Sequence, residues 1–191
     1  FVHNRLTHSL EVASVGRSLG NLISEKLVCE FPKNPFIPEI GTIVSTSCLA
    51  HDLGNPPFGH SGEAAISNFF LKGAGNEFQN KLSDGEWKDF THFDGNANAF
   101  RILTHQFNGK RPGGFALTYS TLAGIVKYPF ESTQAHKPKF GFFQSDKKDY
   151  YKIAQELEIV PQKENLEKFM RHPLVYLVEA ADDICYQIMD L

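Results

Sequence analysis

Apolar residues recur at three- and four-residue intervals through most of the chain, the period of helices that each bury one face. Over residues 7–23, Val12, Val15, Leu19 and Leu22 make one stripe, which Arg5 and His8 extend toward the N-terminus. A Pro-containing break at 31–38 follows. Ile40, Ile43, Val44, Cys48 and His51 then form a second stripe, which Gly54 ends and Pro56-Pro57 cannot continue. A third helix opens at Gly59-His60-Ser61-Gly62-Glu63 and runs through Phe69 and Phe70, and the polar, Gly-containing stretch 73–87 reads mostly as loop. A fourth helix is expected over 96–104, broken by Lys110-Arg111-Pro112-Gly113-Gly114, and a fifth over 119–127, stopping before Pro129. No period is evident over 130–151, a long connection of the kind that often binds ligands. Helices resume at 151–157 and 164–170, and the last starts at Pro173 with Val175, Val178, Cys185 and Met189 inward. Strand alternation is scarce and no repeat is present, so the expected class is all-α.

Three polar residues fall where this pattern demands apolar ones, and a fourth stands beside one of them. His8 and His51 lie on the buried stripes of two helices, Asp52 follows His51, and Asp182 lies on the inner side of the last helix. A lone histidine on such a stripe is usually a satisfied core residue, and a His-Asp dipeptide occurs often by chance. A buried carboxylate without a partner is costly, however, so inward Asp residues normally pair or bind metal. Two imidazoles and two carboxylates converging from three helices predict one divalent cation held by His8, His51, Asp52 and Asp182, with positions left for water and substrate. The absence of a Cys ligand disfavours a closed zinc site. Mn²⁺ or Mg²⁺ is the expected ion, with Fe, Ni, Co or Zn as alternatives.

Composition narrows the partners. The 191 residues are 41% hydrophobic and 21% charged with a formal net charge of -3, ordinary for one soluble domain and wrong for bulk electrostatic binding to nucleic acid. No apolar run is long enough for a membrane span and no signal peptide is visible, so a cytoplasmic setting without a membrane partner is expected. Cys29, Cys48 and Cys185 form no CxxC and read as buried free thiols. The chain opens on Phe1 and stops at Leu191 within an amphipathic run, so a single domain over 1–191, cut from a longer polypeptide, is expected.

Further candidates follow from spacing. Arg5, one turn before His8, can reach the same cleft with a bidentate fork. Asp182, Tyr186 and Asp190 lie at i, i+4 and i+8 on one helix face. Lys127 and Lys139 are weaker cationic candidates, since most loop lysines are merely solvated. Glu179 and Asp183 are expected behind the ligands or in salt bridges, and Phe140 and Phe142 are candidates for stacking on a base.

Three segments carry a resemblance. Arg5-Leu6-Thr7-His8-Ser9-Leu10-Glu11-Val12, the run from His51-Asp52-Leu53-Gly54-Asn55 through Pro56-Pro57-Phe58-Gly59-His60-Ser61-Gly62-Glu63, and Glu179-Ala180-Ala181-Asp182-Asp183-Ile184 resemble the HD-domain deoxynucleoside triphosphate triphosphohydrolases, the bacterial dGTPase family. Phe93-Asp94-Gly95-Asn96-Ala97-Asn98 resembles another segment of that family, with Asp94 and Asn98 where Glu and Gln are commoner, and Lys139-Phe140-Gly141-Phe142-Phe143 is similar to a further one. The resemblance implies an HD-domain helical bundle with a metal site between helices. It implies hydrolysis of a dNTP, dGTP foremost, to deoxynucleoside and intact triphosphate by metal-activated water. It makes His60 the proton donor with Glu63 orienting it, and His92 a further candidate near the phosphates. Tyr186 gains a phosphate or sugar contact, Asp190 the 3'-hydroxyl, and Arg5 and Lys139 the phosphates. A homo-oligomer and a nucleotide or single-stranded-DNA effector are implied as partners. The alternatives are another HD-domain nucleotide phosphohydrolase, or a nucleotide-sensing or single-stranded-DNA-binding HD protein with secondary catalysis.

Overall fold

The computed structural model describes residues 4–108 and 112–189. Among the described residues, eight α-helices follow one another: α1 (Arg5–Glu30), α2 (Ile40–Ala50), α3 (His60–Lys72), α4 (Asp84–Thr91), α5 (Gly95–Thr104), α6 (Tyr119–Ile125), α7 (Lys147–Glu156) and α8 (Leu174–Met189). No named strand occurs among the described residues, only two isolated bridges, Glu131 with Phe142 and Pro161 with Phe169. The expected all-α class holds. No helix among the described residues is long and apolar enough to cross a membrane.

Local chemistry sets the helix ends. Asn4 caps α1, accepting from the Thr7 amide while the Thr7 hydroxyl accepts from the Asn4 amide. Asp94 caps α5 and Thr118 caps α6. Helix α2 stops at Ala50, so His51 and Asp52 stand in the turn where the helix yields to Gly54 and the two prolines.

Two cores result. The first joins α1, α2 and α8 through Val12, Ala13, Val44, Cys48, Val178, Ala181 and Cys185. Helices α1 and α2 meet on small residues: a Cβ added at Gly20 would stand 2.7 Å from the Gly41 Cα, so no side chain fits there. The second core packs α5, α6 and α7 around Phe100, Leu103, Leu122, Phe142, Tyr150, Ile153 and Phe169. Helix α2 contacts α1, α6 and α8, so its C-terminal turn lies where both cores end.

The pattern misled in several places. The stretch 73–87 is not mostly loop: a 3₁₀ segment spans Ala74–Lys81, and α4 begins at Asp84 behind a Ser83/Glu86 capping box. The expected helix at 164–170 is absent; backbone groups there bond outward instead, Phe169 N–H to the Pro129 carbonyl and Met170 N–H to that of Val160. Leu22 is exposed rather than in the stripe, and Cys29 is exposed while Cys48 and Cys185 are buried. Phe140 and Phe142 are fully buried; neither ring is available to a base. The inward expectation for Met189 concerns a side chain outside those described.

Candidate metal centre

His8 reaches the centre from the first turns of α1, where the apolar stripe holds its ring inside; it is 7% exposed. Its Nε2 lies 3.0 Å from Asp182 Oδ1 on α8. His51 leaves the end of α2 with its ring centre 5.7 Å from that of His8. His51 Nδ1 lies 2.6 Å from the Cys48 carbonyl, which can only accept, so Nδ1 carries the proton. The neutral ring then presents a lone pair at Nε2. That atom is buried without a hydrogen-bond partner, 3.5 Å from Asp52 Oδ1 and 3.6 Å from Asp182 Oδ1.

A lone pair facing two carboxylate oxygens is repulsive unless a cation stands among them. Electrostatics lead to the same place. Burial opposes charge on His51, yet the Asp182 and Asp52 carboxylates and the Cys48 carbonyl outweigh it and raise its pKa. Burial likewise opposes charge on Asp182, and the His51 and His8 rings outweigh it and lower its pKa. The cluster draws a proton in the place a metal would take. Donor atoms of His8, His51 and Asp52 all lie within 4.8 Å of one another, and Asp182 stands against both imidazoles. These residues could hold one divalent ion.

The cage opens on a cavity of about 340 Å³ lined by His51, Asp52, Asp182, His60, Glu63 and Lys139 among others. His60, on the exposed first turn of α3, places Nδ1 2.9 Å from Glu63 Oε2. Glu63 Oε1 accepts the Gly95 amide at 2.8 Å, and Lys139 Nζ lies 3.4 Å from Oε2. Burial pushes the Glu63 pKa up, but His60, the Gly95 amide and Lys139 prevail and bring it below the ordinary value, so Glu63 is ionised. Lys139 also sits 3.4 Å from Asp94 Oδ1, while Asp94 Oδ2 accepts the Phe140 amide and pins this segment to α5.

His92 lines a separate cavity of about 540 Å³ that shares His60, Glu63 and Lys139 with the first. Arg5 forks onto the backbone, Nη1 to the Asn55 carbonyl and Nη2 to that of Pro56, tying the start of α1 to the turn after Asp52. Tyr186 packs its ring 5.0 Å from that of His8. Asp190 lies outside the described residues. Glu179 pairs with Lys127 and Arg171, and Asp183 is exposed. Sequence reasoning missed Asn55, whose Nδ2 donates to Asp52 Oδ1 at 2.7 Å; an amide three residues after a ligand, in a turn, was the available signal. A larger cavity, about 730 Å³, lies between α5, α6 and α7 and contains no cage residue, so size does not mark this site.

The HD-domain family model matches residues 5–112, the stretch that supplies His8, His51 and Asp52. The chain belongs to the HD-domain family. Among its relatives, the deoxyguanosinetriphosphate triphosphohydrolase-like protein of Pseudomonas aeruginosa is 51% identical over 199 residues, covering all of this chain and 44% of the relative. The protein of that description from Synechocystis sp. is 43% identical over 203 residues, covering all of this chain and 46% of the relative. The deoxyguanosinetriphosphate triphosphohydrolase of Yersinia pestis is 34% identical over 229 residues, covering all of this chain and 43% of the relative. The chain is thus similar to these relatives along its whole length and spans less than half of theirs.

Proposed function

We propose that this HD domain is the catalytic part of a metal-dependent phosphohydrolase that converts deoxynucleoside triphosphates, dGTP foremost, to deoxynucleoside and inorganic triphosphate. The observation that carries the reading is the buried, unbonded Nε2 of His51 facing Asp52 and Asp182, on one cavity with the His60–Glu63 pair. His8, His51, Asp52 and Asp182 would hold a divalent ion, which would supply a polarised water and offset charge on the α-phosphate. Mn²⁺ or Mg²⁺ suits the two carboxylates.

The remaining chemistry falls to side chains. The 5'-oxygen of the sugar is a basic leaving group and needs a proton. His60 gives one N–H to Glu63 and turns its other nitrogen to that oxygen; Glu63, ionised, fixes the ring and steadies the imidazolium. Lys139 balances phosphate charge along the cavity wall, and His92 meets the distal phosphates in the adjoining cavity. Tyr186 borders the sugar beside His8, and Asp190 takes the 3'-hydroxyl. Arg5 holds the turn that carries Asp52 and acts on substrate through that turn. A cytoplasmic homo-oligomer responsive to nucleotide or single-stranded DNA belongs to the same reading.

The test is to incubate the full-length protein with each dNTP and Mn²⁺ or Mg²⁺ and identify the products by ³¹P NMR. Tripolyphosphate with deoxynucleoside is expected. Orthophosphate or pyrophosphate would assign the domain to a different HD phosphohydrolase chemistry, and nucleotide binding without turnover would make it a sensor.

A further inference from the structure

The cage and the proton-donor pair meet at one backbone position. Asn55 Nδ2 donates to Asp52 Oδ1, the oxygen that stands 3.5 Å from His51 Nε2, and so fixes how that carboxylate faces the cage. Gly95, the first residue of α5, donates its N–H to Glu63 Oε1. A Cβ at Gly95 would stand 2.2 Å from Asn55 Oδ1 and 3.1 Å from Glu63 Oε1. The bare Cα therefore leaves room for the amide that steers Asp52 and for the carboxylate that steers His60. The surrounding contacts make this junction stiff. A Cβ at Gly54 would stand 2.0 Å from the Gly95 carbonyl oxygen, so the turn after Asp52 lies directly on the first turn of α5. Asn98 Nδ2 donates to the Gly54 carbonyl at 2.8 Å and keeps it there.

We propose that Asn55 and Gly95 are a positioning pair that sets the Asp52 carboxylate for the metal and links it mechanically to the His60–Glu63 pair. The inference rests on the metal-dependent reading above. Asn55 lines the cavity, but the role assigned to it runs through Asp52, and Gly95 works through Asn55 and Glu63.

The most crowded atom at Gly95 is the tip of the Asn55 side chain, which can swing away; the Asn55 Cα, 3.2 Å from the added Cβ, must give only slightly. Gly95→Ala should therefore displace Asn55 rather than unfold the domain. In full-length protein, Asn55→Ala should weaken Mn²⁺ binding in calorimetry by about 10–100-fold, the usual cost of removing a partner behind a ligand. Its melting temperature in EDTA should stay near that of wild type, and its turnover should climb with Mn²⁺ over concentrations where wild type is flat. Asn55→Leu fills nearly the same space without an N–H and should match Asn55→Ala. Gly95→Ala should weaken Mn²⁺ binding similarly and also lower kcat at saturating Mn²⁺, because Glu63 is disturbed as well.

Wild-type Mn²⁺ affinity in both Asn55 variants overturns the proposal, as does rescue by Leu, which would make the role one of shape. An affinity loss matched by a comparable fall in the EDTA melting temperature overturns it too. If Gly95→Ala does not fold, the two Asn55 variants still decide. Wild-type protein that binds Mn²⁺ yet releases no tripolyphosphate sinks the substrate reading alone, and the affinity comparison stands. Wild-type protein that binds neither Mn²⁺ nor Mg²⁺ sinks both.

Discussion

The two halves of the candidate site are built in opposite ways. The cage draws its ligands from the ends of α1 and α2 and from α8, three helices packed around a shared core, and His8 is nearly as buried as that core. The proton-donor half stands on α3, which has no fully buried residue, and the side chain of His60 is 88% exposed. One half is positioned by packing, the other by hydrogen bonds that Glu63 accepts from His60, the Gly95 amide and Lys139. A metal site needs several donors at fixed mutual distances, which rigid helices supply. A proton donor needs one atom near a leaving group and access to solvent protons, which a surface helix turn supplies.

If that contrast is right, substitutions in the two halves should separate metal binding from rate. Asp52→Ala should give the largest effect: Mn²⁺ binding in calorimetry and turnover fall together to background. Retained turnover at wild-type Mn²⁺ affinity would remove Asp52 from the cage. His60→Ala should keep Mn²⁺ affinity while turnover drops by about 10²–10⁴-fold, the usual contribution of a general acid. Wild-type turnover in that variant would falsify the assignment of His60.

The next effect is one of pH. The raised pKa of His51 means that a proton occupies the metal-free cage up to a pH above the ordinary histidine value of about 6.5. Mn²⁺ must displace that proton, so affinity should rise with pH by up to about tenfold per unit until His51 is neutral. The stability of the metal-free fold runs the other way. A group whose pKa is higher folded than unfolded contributes fully below the unfolded value and loses that contribution as pH climbs through the folded one. In EDTA, the part of the melting temperature owed to His51 should decline from about pH 6.5 upward while Mn²⁺ affinity grows. A His51→Gln variant should lose the stability trend in EDTA; if it persists, the titrating group lies elsewhere. The smallest effect is expected at Arg5. Arg5→Ala should lower stability by about 1 kcal/mol, since its two bonds to carbonyls are exposed to water. Thermal denaturation would check it, and an unchanged midpoint would mean that the clamp adds nothing.

The helices that build the cage were legible because histidine and aspartate stood on stripes otherwise made of Val, Leu and Ile, where a polar group needs a reason. The exposed half was less so. His60 and Glu63 were read through their resemblance to known motifs, since no burial pattern marks α3. Arg5 shows a limit of spacing: one turn from His8 it can reach the cleft, but two carbonyls fifty residues away hold it first. Phe140 and Phe142 lie in a segment without period because their burial does not come from a helix of their own: Phe142 packs on Phe100 of α5 and stacks on Tyr150 of α7, and Phe140 lies against Phe143. Helix α4 was missed although Ser83 and Glu86 spell its cap, because its polar surface hides the stripe. Asn55 and Gly95 meet across forty residues, a distance at which local pattern carries no information.

The glycine contact between α1 and α2 has reach beyond its own neighbourhood. Twelve residues separate Gly20 from His8, about 18 Å along a stiff rod at 1.5 Å per residue. A methyl group inserted at Gly20 acts as a wedge near the far end of that rod, levering α1 off its neighbour and dragging an imidazole out of line. Loss of a cation can thus originate three turns from any atom that touches it, and a variant there would present as a chelation defect while its cause is crowding.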